Sequence, residues 1–170
     1  SINKVGWQEE RRPFTFTALN DKPYLEFTIK IYTDHPGVTN ELNSLKPGDE
    51  LIIRDVWGTI EYKGPGYFIA GGAGITPFIS ILRQLHKENK LAGNKLFFSN
   101  KTDQDIILEK ELKSILGDNA LFTISRQKDS IHDRRRIDEK FLKAEVSDFK
   151  KHFYICGPDP MVLALRETLE

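Results

Sequence analysis

The sequence predicts a two-part α/β protein in which an antiparallel β-barrel is followed by a doubly wound parallel sheet. Residues 1–63 contain short β-branched and aromatic runs joined by turn signals. Residues 67–170 alternate short apolar strands with amphipathic helices. The Lys-Gly-Pro-Gly stretch at residues 63–66 separates these patterns. We therefore predict one domain over residues 1–63 and a second over residues 67–170.

The first part is predicted from its strands and turns. A turn with the sequence Asn-Asp-Lys-Pro lies between the first two strands, and Lys-Pro-Gly-Asp precedes the third. Strands at this spacing are typical of a small antiparallel barrel. We predict strands over residues 13–17, 24–32 and 50–54, and a short helix over residues 39–45.

The second part is predicted from strand–helix alternation, which requires parallel strands with helices on both faces of the sheet. The first of its helices carries four apolar side chains on one face. We predict strands over residues 67–70, 95–99, 121–125 and 153–156, and helices over residues 76–91, 105–116, 138–144 and 159–169.

Composition excludes several classes of function. The 170 residues carry 25 basic and 25 acidic side chains, so a broad nucleic-acid footprint is not expected. One cysteine excludes an internal disulfide and a cysteine-held iron–sulfur cluster. No apolar run reaches the roughly 18 residues of a membrane-spanning helix. We expect a cytoplasmic monomer without a metal site and without a nucleic-acid or membrane partner.

A glycine-rich turn, Gly-Gly-Ala-Gly-Ile-Thr-Pro at residues 71–77, joins a predicted strand directly to a predicted helix. Glycines permit a tight turn and close approach of a ligand, and the free amides of a helix start favour a pyrophosphate. Pro77 suits the first helical turn but stands where G-x-G-x-x-G would have its third glycine. The alternative is a plain turn whose glycines serve packing alone.

Four motifs in order resemble those of the ferredoxin–NADP reductase family of flavoproteins, most closely the bacterial flavodoxin/ferredoxin–NADPH reductases. The first is Arg12-Pro13-Phe14-Thr15, and the second runs from His35 to Asn40. The third is the turn from Gly71 to Phe78. The fourth is Cys156-Gly157-Pro158, followed by Met161.

The resemblance implies that the first domain binds FAD. Arg12 would pair with the pyrophosphate, Phe14 would lie against the isoalloxazine ring, and Thr15 would donate a hydrogen bond near N5. Alternatively, Arg12 is an ordinary surface arginine and Phe14 a core aromatic. Thr39 is a good N-cap for the short helix, whose first amides would also face the pyrophosphate. The further flavin-contacting residues are Pro13, Ile29, Ile31, Gly37 and Val38.

The resemblance also implies that the second domain binds NADP(H). Cys156 would lie beside the nicotinamide, although a lone cysteine is more commonly a small buried hydrophobe. Ser125 and Arg126 would contact the 2′-phosphate, whereas residues 134–136, three arginines, more commonly form a solvated loop. Asn100 and Lys101 either reach the pyrophosphate or contact nothing. The remaining predicted contacts are Gly72, Gly74, Thr76, Gly157 and Pro158.

The implied reaction is hydride transfer from NADPH to FAD, followed by single electrons to a ferredoxin or flavodoxin, with Thr15 and Cys156 as the catalytic positions. Two alternatives remain: an NADH-dependent flavin or oxygenase reductase, and a non-catalytic dinucleotide-binding module. Family members have two further strands before the position of Ser1 and another strand after the last helix. We therefore expect the chain to be part of a longer protein.

Overall fold

Four parallel strands form the sheet that organises the second part of the chain. The computed structural model describes residues 1–33 and 36–170. The strands are β1 Gly66–Gly71, β2 Lys95–Asn100, β3 Ala120–Ile124 and β4 His152–Cys156, in the spatial order β3-β2-β1-β4. All the neighbouring pairs are parallel. Each predicted strand is therefore confirmed to within one residue at either end.

The strands belong to a sheet covered on both faces. Along β1, Tyr67 and Ile69 point to one face, and Phe68 and Ala70 point to the other, as the two-residue period of a strand requires. All four side chains are buried. Their burial explains why the strand reads as a continuous apolar run in the sequence.

The helices lie where the alternation predicts them, with shifted ends. They are α1 Val38–Leu42, α2 Thr76–Lys87, α3 Glu109–Leu116, α4 Glu139–Glu145 and α5 Asp159–Leu169. The last matches its prediction. Leucines and phenylalanines of α2 and α3 join Phe68 in one core cluster, whereas those of α4 and α5 join Tyr67 in the other. The doubly wound arrangement is therefore confirmed.

Helix α1 ends at Leu42 rather than at the predicted residue 45. In the second part, two helix ends differ from their predictions by four residues, each for a local reason. Helix α2 ends four residues early because Asn89 adopts φ 56° and the Lys90 amide donates to the Leu85 carbonyl over 2.8 Å. That pattern terminates a helix. Before α3, Asp103–Asp105 form a 3-10 turn closed by reciprocal bonds between Thr102 and Asp105. The helix therefore begins at Glu109 rather than at residue 105.

The first part of the chain has no regular strand ladder within the described residues. The predicted strands over residues 13–17, 24–32 and 50–54 are wrong as regular strands, because the described residues form only isolated antiparallel bridges there. Phe16–Phe27 joins the first two, and Ile2–Leu51 joins the third to a residue outside the predicted strands. Few side chains are buried here, chiefly Ile2, Thr17 and Val38, so little apolar burial offsets the entropy of ordering the backbone. Within the described residues, the segments predicted to form barrel strands are therefore joined by isolated bridges and not by regular ladders.

The glycine-rich connection at residues 63–66 is held against the second part. The Tyr154 hydroxyl accepts from the amides of Lys63 and Gly64 over 2.9 and 3.1 Å, and donates to the Gly64 carbonyl over 2.7 Å. The Asn94 side chain accepts from the Gly66 amide over 3.0 Å. These bonds fix how the chain enters β1. The domain boundary itself stays a prediction.

Candidate functional site

The sheet has a topological switch point between β1 and β4. From β1 the chain winds outward to β2 and then to β3, and it returns to β4 on the other side of β1. In open α/β sheets, ligands bind in the crevice beyond the carboxyl ends of the strands at such a point. Here those ends are Gly71 and Cys156, in neighbouring register at Ala70–Cys156. The structure thus brings together two motifs that lie about half the chain apart.

The turn after β1 and the loop after β4 touch through their backbones. A Cβ at Gly74 would lie 2.2 Å from the Cys156 carbonyl oxygen, and one at Gly71 would lie 2.7 Å from Met161 Sδ. A Cβ at Gly157 would lie 3.1 Å from the Gly71 amide nitrogen. Close packing is therefore sufficient reason for glycine at these three positions. The predicted ligand contacts of Gly74 and Gly157 stay predictions.

Gly72 differs from its neighbours. Its φ is 53°, in the left-handed region, and a Cβ there would meet nothing within 4 Å. The backbone at this position therefore faces open space, and a ligand can approach it without meeting a side chain. Of the two turn glycines we predicted to bind a cofactor, Gly72 has the geometry that fits a ligand.

The start of α2 follows this turn directly. A 3-10 turn over Gly72–Ile75 leads into the helix at Thr76, and Pro77 occupies its first turn, as predicted. The Thr76 hydroxyl donates to the Ala73 carbonyl over 3.0 Å, which leaves its lone pairs as acceptors. No side chain caps the helix, so the positive end of its dipole is available to an anion.

Cys156 lies half-buried at the end of β4 and packs against the core cluster of Phe68. Burial raises the pKa of the Cys156 thiol above its ordinary value, so the thiol is neutral at physiological pH. A neutral, half-buried thiol is a poor nucleophile. This environment agrees with a residue that shapes the wall of the crevice.

The carboxyl ends of β2 and β3 carry the predicted phosphate contacts. Ser125 is exposed, but its amide and hydroxyl both donate to the Asn100 carbonyl, over 2.9 and 3.1 Å. The Arg126 amide donates to the Lys101 carbonyl over 2.9 Å. Its guanidinium is exposed and forms no ion pair with any described residue. Arg126 is therefore free to meet an anion, whereas the Ser125 hydroxyl already has an acceptor.

Asn100, predicted either to reach the pyrophosphate or to contact nothing, is 4% exposed, and neither polar atom of its side chain has a partner among the described residues. An unpaired buried amide costs about 1–3 kcal/mol. A polar group of this kind at the carboxyl edge of the sheet agrees with a ligand-binding edge.

The three arginines at residues 134–136 differ in their contacts. Arg135 donates to Asp133 over 2.8 Å and to Glu145 over 2.7 Å, and it lies 4.9 Å from the centre of the Phe141 ring. Its pKa is raised by these carboxylates. Arg135 thus has a structural role, whereas Arg134 and Arg136 are exposed without ion pairs among the described residues.

The predicted flavin residues lie in the extended first part. Arg12 is exposed and donates to the Arg11 carbonyl over 2.7 Å, without an ion pair to a described residue. Phe14 and Thr15 are half-buried. The free guanidinium fits an anion, and the half-buried pair fits a ring that would cover it. The other predicted contacts are exposed Pro13 and half-buried Ile29 and Ile31.

The short helix α1 corrects one prediction. It begins at Val38, which is buried, with Gly37 at the N-cap, so Thr39 lies inside the helix and is not the cap. No side chain caps it. Glycine is tolerated at an N-cap, and the buried valine fixes the first turn. His35, which opens the predicted second flavin motif, lies outside the described residues.

Ion pairs that the sequence did not predict join the two parts of the chain. Arg83 of α2 binds Glu26 and the Thr17 carbonyl, and Lys30 Nζ lies 2.7 Å from Asp105 Oδ1. Asp105 has a pKa lowered by Lys30. These partners are far apart in sequence, and no motif connects them.

A cleft of 540 Å³ lies away from the switch point, beside the C-terminal half of α2. Ion-paired side chains such as Arg83 and Glu111 form part of its wall. The open turn, the free helix start and Cys156 are at the other end of α2, and we assign the site there. Among the described residues, no group of His, Cys, Asp and Glu could hold a metal ion, and no helix is long and apolar enough to cross a membrane.

A doubly wound sheet with a glycine-rich turn against a Cys-Gly-Pro loop at its switch point defines a dinucleotide-binding domain of the oxidoreductase type. The chain belongs to the oxidoreductase NAD-binding domain family, which matches residues 68–167. The family placement predicted from the motifs is confirmed.

Comparison with curated proteins finds NADH-cytochrome b5 reductases. NADH-cytochrome b5 reductase 2 of Mycosarcoma maydis is 31% identical over 91% of this chain and 48% of the relative. The Mus musculus protein of the same name is 27% identical over 85% of this chain and 66% of the relative. The chain thus spans about half the length of the curated relatives it matches.

Solved structures show the same fold. A ferredoxin NADP+ reductase from Neisseria gonorrhoeae with bound FAD and NADP aligns with a TM-score of 0.76 and 19% identity, over 93% of this chain and 71% of that one. The FAD/NAD-binding domain of a nitric oxide dioxygenase from Vibrio cholerae aligns with a TM-score of 0.73 and 20% identity, over 93% and 70%. The predicted fold class is confirmed.

Proposed function

We propose that the protein is a flavin-dependent oxidoreductase that takes hydride from a nicotinamide dinucleotide, with NADPH preferred, and passes electrons singly to a protein carrier. The observation that carries this proposal is the backbone contact between the Gly71–Gly74 turn and the Cys156–Gly157 loop at the switch point. Next to this contact, Gly72 faces open space, and no side chain caps the start of α2.

The crevice residues suit a dinucleotide. The positive end of the α2 dipole would attract the pyrophosphate, and Gly72 would let it approach the backbone. The neutral Cys156 side chain would fill the wall beside the nicotinamide and exclude water without reacting.

The first part of the chain would hold FAD. Arg12 would pair with the pyrophosphate as a planar two-pronged donor. Phe14 would lie against the ring, and Thr15 would donate a hydrogen bond near N5. The bound flavin supplies the ability to accept two electrons at once and to release them one at a time.

Flavin content tests the cofactor directly. The purified protein should be yellow and should release FAD on denaturation, and Arg12→Ala should lower the FAD content. Arg11→Ala is the matched control, because Arg11 is paired with Glu9 over 3.0 Å. A colourless protein would favour the non-catalytic dinucleotide-binding module.

The preference for NADPH depends on Arg126. An exposed guanidinium without a carboxylate partner suits a 2′-phosphate, whereas a bare ribose is bound by a nearby carboxylate. The strand end here carries Ser125. The curated relatives are named for NADH, so the choice of nucleotide needs its own test.

Steady-state kinetics with both nucleotides decide this choice. Arg126→Ala should lower kcat/KM for NADPH by about 10- to 100-fold, the loss of one charge-assisted contact, and should leave NADH unchanged. Lys140→Ala, an exposed cation on α4, should change neither value. A wild-type enzyme that prefers NADH would contradict the assignment.

The names of the curated relatives suggest which electron carrier to test first. A cytochrome b5-type haem protein is the first acceptor to test, and a ferredoxin or flavodoxin, as the motifs predicted, are the alternatives. Carrier reduction should exceed the reduction of free flavin at equal NADPH. Reduction of free flavin alone would favour the flavin-reductase alternative.

A further inference from the structure

One guanidinium joins the two parts of the chain. Arg83, in the second half of α2, donates through Nε and Nη2 to both oxygens of Glu111, over 2.5 and 3.0 Å. Its Nη1 donates to Glu26 Oε1 over 2.6 Å and to the Thr17 carbonyl over 2.7 Å. Glu111 lies on α3, whereas Glu26 and Thr17 lie in the first part. Arg83 therefore binds the first part of the chain to two helices of the second.

The contact on the first part is built around one buried polar residue, Thr17. Thr17 is fully buried, and its hydroxyl donates to Glu26 Oε1 over 2.8 Å. The Thr28 hydroxyl donates to the Thr17 hydroxyl over 3.1 Å, and the Thr17 amide donates to the Glu26 carbonyl over 2.8 Å. Thr17 is therefore fixed through its carbonyl, hydroxyl and amide together.

The same helix carries the predicted nicotinamide residue. Thr76 and Arg83 are seven residues apart, so they lie on one face of α2, separated by about 10 Å along its axis. Thr17 lies two residues after Thr15, the predicted flavin residue, and Phe16 between them forms an antiparallel bridge with Phe27. In β conformation, side chains two residues apart lie on the same side of the backbone. A rigid helix thus connects the nicotinamide turn to the segment that would hold the flavin.

We propose that Arg83 is a positioning residue that fixes residues 14–17 relative to the Thr76 end of α2 and so sets the alignment of the nicotinamide with the flavin. This inference rests on the proposed function. Arginine suits the role because its planar fork donates to both carboxylates and to a carbonyl at once, which an ammonium on a flexible stem does less well.

Arg83 is partly shielded from solvent, which strengthens its ion pairs relative to exposed ones. Its side chain is 21% exposed, and the Arg83 hydrogen bond lowers the pKa of Glu26 below its usual range. A second ion pair from the same helix to the first part, Lys87–Asp21, is about half exposed at both side chains. Exposed pairs contribute little. Lys87 is therefore a matched control for Arg83.

Stopped-flow reduction of the holoenzyme by NADPH tests the alignment. Arg83→Met should slow flavin reduction by roughly 10- to 100-fold, the effect expected of a small misalignment, and should weaken the charge-transfer absorbance of the nicotinamide–flavin pair. The dissociation constants of FAD and NADPH should not change. Arg83→Lys should recover part of the rate, and Lys87→Met should match wild type.

Hydrogen exchange of the ligand-free protein provides a readout that does not need the cofactor. Arg83→Met should raise the exchange rate of the Thr17 amide, because Arg83 restrains this residue by donating to its carbonyl. The exchange rates of the α5 amides should not change. Lys87→Met should leave both unchanged. Equal exchange at Thr17 in all proteins would overturn the proposal.

The kinetic outcomes separate the possible failures. Unchanged flavin reduction in Arg83→Met, or a loss of rate that follows FAD loss in both Arg83 variants, would show that Arg83 only stabilises the fold. If Arg83→Met does not fold, Arg83→Lys and Glu26→Gln decide by the same measurements. A wild-type protein without flavin and without NADPH oxidation would refute the proposed function, while the exchange result would still test the contact.

Discussion

Gly72 and Gly74 lie two residues apart in the turn after β1, and each is glycine for a different physical reason. Gly72 has a left-handed backbone and open space around it, whereas Gly74 lies against the Cys156 carbonyl. The sequence motif could not separate these reasons, because both positions read simply as glycine. In the structure, the first has open space around its backbone, and the second is packed against backbone.

Alanine at each position should separate backbone strain from steric contact. Gly74→Ala places a Cβ 2.2 Å from backbone, so the Cys156–Gly157 loop must move, at a cost of about 1–3 kcal/mol. Gly72→Ala should cost about 1–2 kcal/mol through its φ of 53° alone and leave that loop in place. Urea unfolding measures the cost, and iodoacetamide alkylation of Cys156 reports the loop. Equal alkylation in both variants would contradict the assignment.

Cys156 also makes the free energy of unfolding depend on pH, and the sign of this dependence follows from the burial of its thiol. Because its pKa is raised in the folded protein, its stabilising effect is complete below the ordinary thiol value of 9.0 and is lost as pH rises through the folded pKa. Wild type should therefore lose more stability than Cys156→Ala between neutral pH and values above 9.0. Urea unfolding of both proteins across that range measures it, and parallel pH curves would disprove the linkage.

At the scale of elements, the sequence predicted the second part well because burial there dictates the pattern. Strands covered on both faces must be apolar throughout, and the helices against them must carry an apolar stripe. In the first part, β-branched and aromatic residues also indicate strands, but side chains in the predicted strands, such as Tyr24 and Ile53, are exposed at 55% and 49%. Propensity without burial does not produce a ladder.

Helix α4 shows how a single cap defines an element. Asp138 Oδ1 accepts from the Phe141 amide over 2.9 Å, and Phe141 is 1% exposed in the core beneath the sheet. Asp138→Ala should destabilise the protein by about 1 kcal/mol, whereas Asp138→Asn should retain the cap and most of the stability. Urea unfolding compares the two. A loss as large for asparagine as for alanine would point to charge rather than capping.

At the scale of the whole molecule, the sequence predicted the two motifs that meet at the candidate site, the glycine-rich turn after β1 and the Cys-Gly-Pro loop after β4. It did not predict the contacts that join the two parts of the chain. Each motif is a short continuous segment, so the chemistry of each residue can be inferred from the sequence alone. Arg83 meets Glu26 across 57 residues, and Lys30 meets Asp105 across 75. Such pairs depend on how the extended first part lies against α2 and α3, which no periodicity records.

These contacts between the parts depend on carboxylates, so acid should weaken them first. Arg83 lowers the pKa of Glu26 from its ordinary 4.5, and Lys30 lowers that of Asp105 from 3.8. The stability these pairs contribute is present above the ordinary values and is lost as pH falls through the lowered ones. The core of the second part, in contrast, is formed by apolar side chains on both faces of its sheet.

We therefore expect the first part to separate from the second, as pH falls below 4.5, before the sheet unfolds. Both tryptophans lie in the first part, and Trp57→Phe leaves half-buried Trp7 as the single reporter. In this variant, Trp7 fluorescence should change at higher pH than far-UV circular dichroism, which follows the helices of the second part. Arg83→Met should move the fluorescence transition to higher pH and leave the dichroism transition in place. Coincident transitions in both proteins would instead show a single cooperative unit whose two parts are stabilised together.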